Sequence, residues 1–487
     1  MRQALHIFKK DTRHLRIEIL VVSAVIAVFA YLGAHSHPIL NQYASPIDRL
    51  SSVYELLLPL AWWYLIAAVV QEEPVPGERQ FWITRPYSRI SLLGAKTLFI
   101  LMFLNLPMLL ADCIILLARG FEPWSYLPGM LFRQLILFIV WFLPFAALAA
   151  ITANLKQFVL LLLMLPLVYI VSILVGAPLF LFYWGGAEWI PISALILVGF
   201  AATFTVLQIQ FAKRRTTLAR GIALCAFPLA LVVPPLFPRT TAYDLQFALS
   251  HPQTDEPAVT LVLDPTRRRP VDLMTGGEPG TVEIDIPVRA KEVPEKMDLV
   301  ADHLAISIRT SDGKSWSVPG RNWLFPARNG QLWLKLHVDS TVFEQTKNSD
   351  VTLRMSSYLT LLGGHHITPV QLGRTSTEVP GMGRCSFWES APHDYAATCE
   401  SPFRGPAVFY KAALSRDVSL DTMLLEGGSY SPYAAELGIS PRVLSLRGTF
   451  GTSEPPNGLI IVTAVPLAHF HRDFRFSGVH LGNFAHD

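Results

Sequence analysis

Hydrophobic residues run almost unbroken through long stretches of the first half of the chain, whereas from about Thr240 onward they alternate with polar ones. Several of the early runs exceed the roughly 18 residues that mark a helix crossing a bilayer. The pattern predicts spans at about 17–34, 53–70, 94–117, 134–152, 157–181, 191–212 and 221–237. The last is short and contains Pro228, Pro234 and Pro235. Prolines are tolerated in lipid when neighbouring helices satisfy the freed carbonyls, so six and seven crossings both stand. Ahead of the first span, residues 1–16 set Ala4, Leu5, Phe8 and Leu15 among cations, which predicts an amphipathic helix lying in the membrane interface. A cleaved signal peptide is the other reading of this start, with Ala34, His35 and Ser36 as its small-residue end. The long leader containing Asp11 and Glu18 argues against it.

The second half changes period. Ala258–Leu263, Thr281–Ile286 and Gln331–Val338 alternate apolar and polar positions, as do shorter runs at 304–309, 351–360, 408–413 and 459–465. Period two implies strands with one buried face. Eight to ten strands separated by Gly, Pro, Asn and Asp turns predict an antiparallel sandwich or a pair of small ones. The expected fold is therefore a polytopic α-helical membrane domain of six to seven transmembrane helices over 17–237, followed by an all-β, sandwich-like extracytoplasmic domain over 238–487.

Charge gives the helices a direction. Residues 1–240 hold 18 Lys and Arg against 10 Asp and Glu, leaving 22 and 27 for the remainder. Cytoplasmic loops retain Lys and Arg. Arg2, Lys9, Lys10, Arg13 and Arg16 precede the first span, Arg79, Arg85, Arg89 and Lys96 follow the second, Lys156 follows the fourth, and Lys213, Arg214, Arg215 and Arg220 follow the sixth. The alternate loops offer only Arg49, Arg119 and Arg133. The amino terminus is expected inside and, after seven spans, the β domain outside, in a cell or inner membrane. Over the whole chain only 16% of residues are charged, against about 25% in an average soluble domain. That excludes a disordered chain, a coiled coil and a nucleic-acid binder.

Candidate chemistry is sparse. The sequence has no phosphate-binding loop of the Gly-x-x-x-x-Gly-Lys type, no Gly-x-Ser-x-Gly elbow, no Cys-x-x-Cys pair and no His-Glu-x-x-His helix, so neither catalysis nor a cofactor is expected. His469 and His471 would share one strand face, yet without a third ligand they read as surface residues, as does the Arg267–Arg269 run. Cys113 and Cys225 fall in spans as small hydrophobes. Cys385 and Cys399 sit in a turn-rich stretch of the β domain, where a disulfide and two free thiols are both open readings. Glu55 and Asp112 are acids inside predicted spans, which makes them functional candidates by default. Both are placed within about two turns of the outer surface, where water lowers the cost of the charge.

The segment between the second and third spans, residues 72–96, is too patterned for a linker. Phe81, Trp82 and Ile83 form an apolar cluster, Pro86 can open a helix, and Arg85, Arg89 and Lys96 suit an anionic inner leaflet. The order of interfacial helix, two spans, and then Gly77-x-x-x-Phe81-Trp82-x-Thr-Arg85-Pro86-x-Ser-Arg89 leading through Gly94 and Lys96 resembles the permease subunit of ABC-2 type exporters. The resemblance covers about residues 1–215. It implies that 72–96 is a coupling element docking on a separate ABC ATP-binding subunit, with permeases paired as a homodimer or heterodimer in the lipid bilayer. The extra crossing and the large outer domain depart from that pattern, so no substrate carries over. A membrane-anchored extracytoplasmic binding or sensor protein is the alternative from another class.

Overall fold

The computed structural model describes residues 2–35, 46–72, 88–164, 189–213, 215–236, 239–249, 256–264, 280–294, 297–318, 323–326, 331–391, 394–400, 408–414, 429–430, 449–451 and 457–485. Its helical half comprises α1 (Arg2–His14), α2 (Arg16–His35), α3 (Pro46–Gln71), α4 (Arg89–Ile100), α5 (Leu106–Ala118), α6 (Leu127–Ile136), α7 (Leu143–Ile151), α8 (Leu155–Met164), α9 (Trp189–Gln208), α10 (Thr216–Leu236) and α11 (Arg239–Leu249). Four continuous helical stretches among the described residues are long and apolar enough to cross a membrane: Arg16–His35, Ile90–Ala118, Pro123–Ile151 and Ser193–Lys213. This is fewer than the expected six to seven. The expected spans at 53–70, 157–181 and 221–237 are represented by the shorter apolar helices Leu57–Gln71, Leu155–Met164 and Thr216–Ala226.

Three of the four stretches are not regular. A π turn, Leu101–Asn105, joins α4 to α5, and a second, Leu137–Phe142, joins α6 to α7. Their cause is written in the sequence. Pro107 and Pro144 follow at the start of α5 and α7, and a proline ring lacks the N–H and clashes with the carbonyl four residues back. Those carbonyls belong to Phe103 and Val140, each inside a π turn, so the helix widens there instead of breaking. A third π turn, Ile209–Lys213, ends the α9 stretch.

The amphipathic α1 buries Ile7 and packs Phe8 against Phe99 of α4 and Phe103 of the first π turn, with ring centroids 6.4 and 5.8 Å apart. The expectation of a helix resting on the interface is thus refined: α1 is docked on the bundle.

The β half contains fourteen strands among the described residues, not eight to ten: β1 (Thr260–Leu263), β2 (Thr281–Lys291), β3 (Asp298–Thr310), β4 (Ser315–Val318), β5 (Trp323–Pro326), β6 (Gln331–Asp339), β7 (Val351–Gln371), β8 (Gly373–Val379), β9 (Gly383–Ala391), β10 (Asp394–Glu400), β11 (Val408–Leu414), β12 (Ser429–Tyr430), β13 (Thr449–Gly451) and β14 (Gly458–Val479). Among them lies one short helix, α12 (Ser340–Thr346). They form three sheets, β1-β2-β6-β5, β13-β10-β9-β8 and β12-β11-β14-β7-β3-β4. Every strand pairing is antiparallel.

β7 and β14 are the long members of the domain, at 21 and 22 residues. One end of this ribbon packs against the first sheet, where Leu353, Leu359 and Phe470 meet Ile284, Ile286, Leu334 and Leu336. The other end packs against the second sheet, where Val370, Leu459 and Ile461 meet Phe387, Tyr395 and the two cysteines. Two small sandwiches therefore share one pair of strands. Where one gives way to the next, the ribbon is bulged between Thr463 and Ala468. Opposite that bulge Gly364 takes φ 63°, and a Cβ on Gly363 would lie 2.4 Å from Leu467 Cδ1. The positive φ requires glycine at 364, while a side chain at 363 would have to displace the tip of Leu467.

One sequence expectation fails on the first sheet. β2 and β6 bury both faces, because Glu283, Asp285, Lys335 and His337 are inside along with the apolar residues. Lys335 Nζ lies 2.6 Å from Glu283 Oε1, the pairing that buried charges require.

Candidate functional site: a clamped loop and a buried polar cluster

α1 reaches both flanks of the segment between α3 and α4. On the α3 side His14 Nε2 lies 3.4 Å from Glu72 Oε2. On the α4 side Gln3 Oε1 accepts from Ser88 N and Ser91 Oγ, each at 3.4 Å. Ser88 is itself the N-cap of α4, its hydroxyl accepting from Ser91 N at 3.1 Å. Two turns further, Lys96 Nζ donates to Asp11 Oδ2 at 2.8 Å, and both side chains are buried. Lys96 is thus removed from the membrane surface to which its charge had assigned it.

Of the sequence-predicted coupling residues, Gly77, Phe81, Trp82, Arg85 and Pro86 lie outside the described residues, and Arg89 is the first residue of α4. The structure brings together their anchors: Gln3, Asp11, His14, Glu72, Ser88 and Lys96. Sequence reasoning missed Asp11 as a partner, although an acid in a basic amphipathic helix was the available signal.

The same end of the bundle is tied elsewhere. Gln71 donates to Thr152 Oγ1 at 2.9 Å, and Arg220 donates to the Ile151 carbonyl at 3.1 and 2.9 Å. A guanidinium at the last carbonyls of α7 satisfies groups that a helix end leaves open.

Inside the bundle, Asp112 is fully buried on α5 and is hydrogen-bonded by Arg133 of α6. Gln134 donates to its other oxygen at 3.1 Å, and Asn105 donates to Gln134 Oε1 at 3.2 Å. This corrects two expectations. Asp112 is not reached by water, and Arg133 is not a loop cation but a buried partner one helix away. The geometry explains both: α5 and α6 form a hairpin through Gly120, so residues at matching depth on its two arms meet. Asn105 closes the π turn and Arg133 and Gln134 precede the next, so the polar cluster sits between the two irregular turns. Glu55 lies in α3, and its side chain is outside the described residues.

The β domain contacts the opposite end of the bundle at two places. Arg384 of β9 donates to the carbonyls of Arg119 and Gly120 at 3.0 and 2.7 Å, with its guanidinium 4.4 Å from the Phe121 ring. Arg119 in turn holds the Gly33 carbonyl at the end of α2 at 3.1 and 2.7 Å. At the second place α11 lies on the face of the six-stranded sheet. Tyr243 stacks on Tyr358 and His303 at 4.9 and 5.4 Å, and Phe247 stacks on His469 at 5.5 Å. Tyr358 donates to Asp244 Oδ1 at 3.0 Å, and burial, with Asp244 alongside, pushes its hydroxyl up to about 12. His469 and His471 do share a face, but they face α11 and β7 rather than a metal. Thr360 lies 2.7 Å from His469 Nδ1 and Ser356 lies 2.7 Å from His471 Nε2. Burial lowers the affinity of His469 for a proton. Among the described residues no group of three or more His, Cys, Asp or Glu is placed to hold a metal ion.

Cys385 and Cys399 sit opposite each other on β9 and β10 and form a disulfide in the core of the second sandwich. Cys113 and Cys225 are free. The bridge closes a loop of 14 residues. Cys385→Ala with Cys399→Ala is therefore expected to cost the β domain about 3 kcal/mol in the chain-entropy picture. Thermal unfolding of the two forms measures this, and an unchanged midpoint would contradict it. The bridge also neighbours Arg384, so the loss should be largest in the sandwich that docks on the bundle.

No protein-family model, no curated protein and no solved structure matches the chain.

Proposed function

We propose that the chain is the membrane permease subunit of an ABC-2 type export system, forming the translocation route and driven by a separate ATP-binding subunit. The observation that carries this reading is the hold of α1 on both flanks of residues 73–87. A segment tied to its neighbours at Glu72, Ser88 and Lys96 passes a displacement on to α3 and α4, whereas a free linker absorbs it. In this reading the amino terminus and the 72–96 segment are cytoplasmic, the β domain is extracytoplasmic, and two permease copies work with two copies of the ATPase. Closure of the ATPase pair on ATP moves the segment, and α3 and α4 carry that movement into the bundle. The α5–α6 hairpin then reaches the outer side at Arg119 and Gly120, where Arg384 holds the β domain. No residue of this chain breaks a covalent bond in that cycle. A sensor or binding protein that uses its helices only as an anchor has no need of a clamp on that segment.

The test is association. An ATP-binding subunit should co-purify with the wild type from gently solubilised membranes. Arg85→Glu with Arg89→Glu should reduce that association about tenfold or more while insertion is unchanged, since other loops keep enough Lys and Arg to fix orientation. A wild-type protein isolated without any ATPase, together with normal ligand binding by the doubly substituted one, would favour the anchor.

A further inference from the structure

Three indole N–H groups in the helical half have no acceptor among the described residues. Nε1 of Trp62, of Trp63 and of Trp141 is buried and without a hydrogen-bond partner. The rings form one cluster. Trp62 of α3 stands edge-on to Phe142 at 5.2 Å, while Trp63 and Trp141 both lie against Phe145, at 4.5 and 6.3 Å. Trp62 has no exposed surface at all.

A buried tryptophan ordinarily finds a partner for its N–H, and in membrane proteins the residue prefers the interface, where water or headgroups supply one. A single orphan donor can be an accident of packing. Three in one cluster mean that the described residues supply donors there without matching acceptors. The backbone ladder is weakened at the same place: Pro59 lies inside α3 one turn before Trp62 and supplies no N–H, Trp141 lies within the second π turn, and Pro144 follows it. Interrupted helices at mid-membrane are where transporters build substrate sites, because they can part without dismantling a regular ladder.

We propose that Trp62, Trp63 and Trp141 form a binding site for an uncharged amphipathic molecule whose carbonyl or ether oxygens accept from the indoles while its apolar body lies against Phe142 and Phe145. Indole carries no charge, so it satisfies a neutral oxygen but cannot neutralise a phosphate or carboxylate taken out of water. That the molecule is the exported cargo rests on the permease reading, whereas its binding does not.

The test uses the full chain in phosphatidylcholine nanodiscs without any ATPase, and a diazirine-bearing diacylglycerol as the probe. Crosslinks are mapped by mass spectrometry. The wild type should be labelled on α3 near Trp62 and on residues 137–145. A variant carrying Trp62→Phe, Trp63→Phe and Trp141→Phe keeps the ring stacking and loses the donors. Its labelling there should fall about tenfold or more, the loss of one or two net hydrogen bonds. Unlabelled diacylglycerol should compete and phosphatidic acid should not. Equal labelling of both proteins overturns the site. So does labelling confined to the exposed α2 residues Leu20 and Val21. Competition by phosphatidic acid as strong as by diacylglycerol overturns the neutral chemistry. A chain that passes this test but captures no ATPase would keep the site and lose the export role.

Discussion

Asp112→Ala is expected to destabilise the helical half by about 3–5 kcal/mol, because it leaves the Arg133 guanidinium buried without its counter-charge. For a bundle of this size that corresponds to a fall on the order of 10 °C in melting temperature, readable in detergent from the loss of monodisperse protein on heating. Asp112→Asn should cost less, since its one oxygen can still accept from Arg133, although its NH2 replaces the oxygen that accepted from Gln134. Asp112→Leu together with Arg133→Met discriminates further. Replacing a whole buried pair by apolar groups of similar volume is often neutral or stabilising, so the double variant should recover most of the loss. Export should not recover with it if the pair matters to movement, because apolar groups cannot hold the register that Asp112, Arg133, Gln134 and Asn105 fix between the two π turns. An Asp112→Ala protein that melts with the wild type would mean that water reaches the carboxylate after all.

That pair shows where the sequence was legible and where it was not. Uninterrupted apolar runs located the four helical stretches and the alternating runs located the main strands, since both depend on periods carried by the residues themselves. Arg133 was misassigned because a count of loop charges treats each cation alone. Its meaning lies in Asp112, 21 positions away on the other arm of a hairpin. The signal was present: an acid and a base stand on the two arms that flank the connection from Arg119 to Tyr126. The π turns leave no mark on hydrophobic periodicity, and only Pro107 and Pro144 hint at them. Strand number was underestimated because β4, β5, β12 and β13 are four residues or fewer, too short to show an alternation. β2 and β6 misled in the opposite way. Glu283 and Lys335 occupy positions that alternation gives to solvent, and it is their mutual contact that allows the second face to be covered.

Lys96→Ala is expected to have the largest effect at the other end of the bundle. Asp11 is then left wholly buried in α1, with Lys10 Nζ 3.6 Å from its other oxygen. A buried charge deprived of its partner costs about 3–5 kcal/mol, more than the α1–α4 packing through Phe8 can absorb, so α1 should detach and become sensitive to protease. Detachment releases both flanks of residues 73–87 at once, because the contacts to Glu72 and to Ser88 are made by the same helix. In the proposed cycle the ATPase would still bind the segment but could no longer drive the helices, so ATP hydrolysis and export should uncouple. Exchanging the pair, Asp11→Lys with Lys96→Asp, should restore part of both the protection of α1 and the coupling. Gln3→Ala supplies the control, since it removes only contacts of 3.4 Å at an exposed edge, and it should leave α1 docked and coupling nearly intact. Full coupling in a protein whose α1 is demonstrably released would show that force enters the bundle without the clamp.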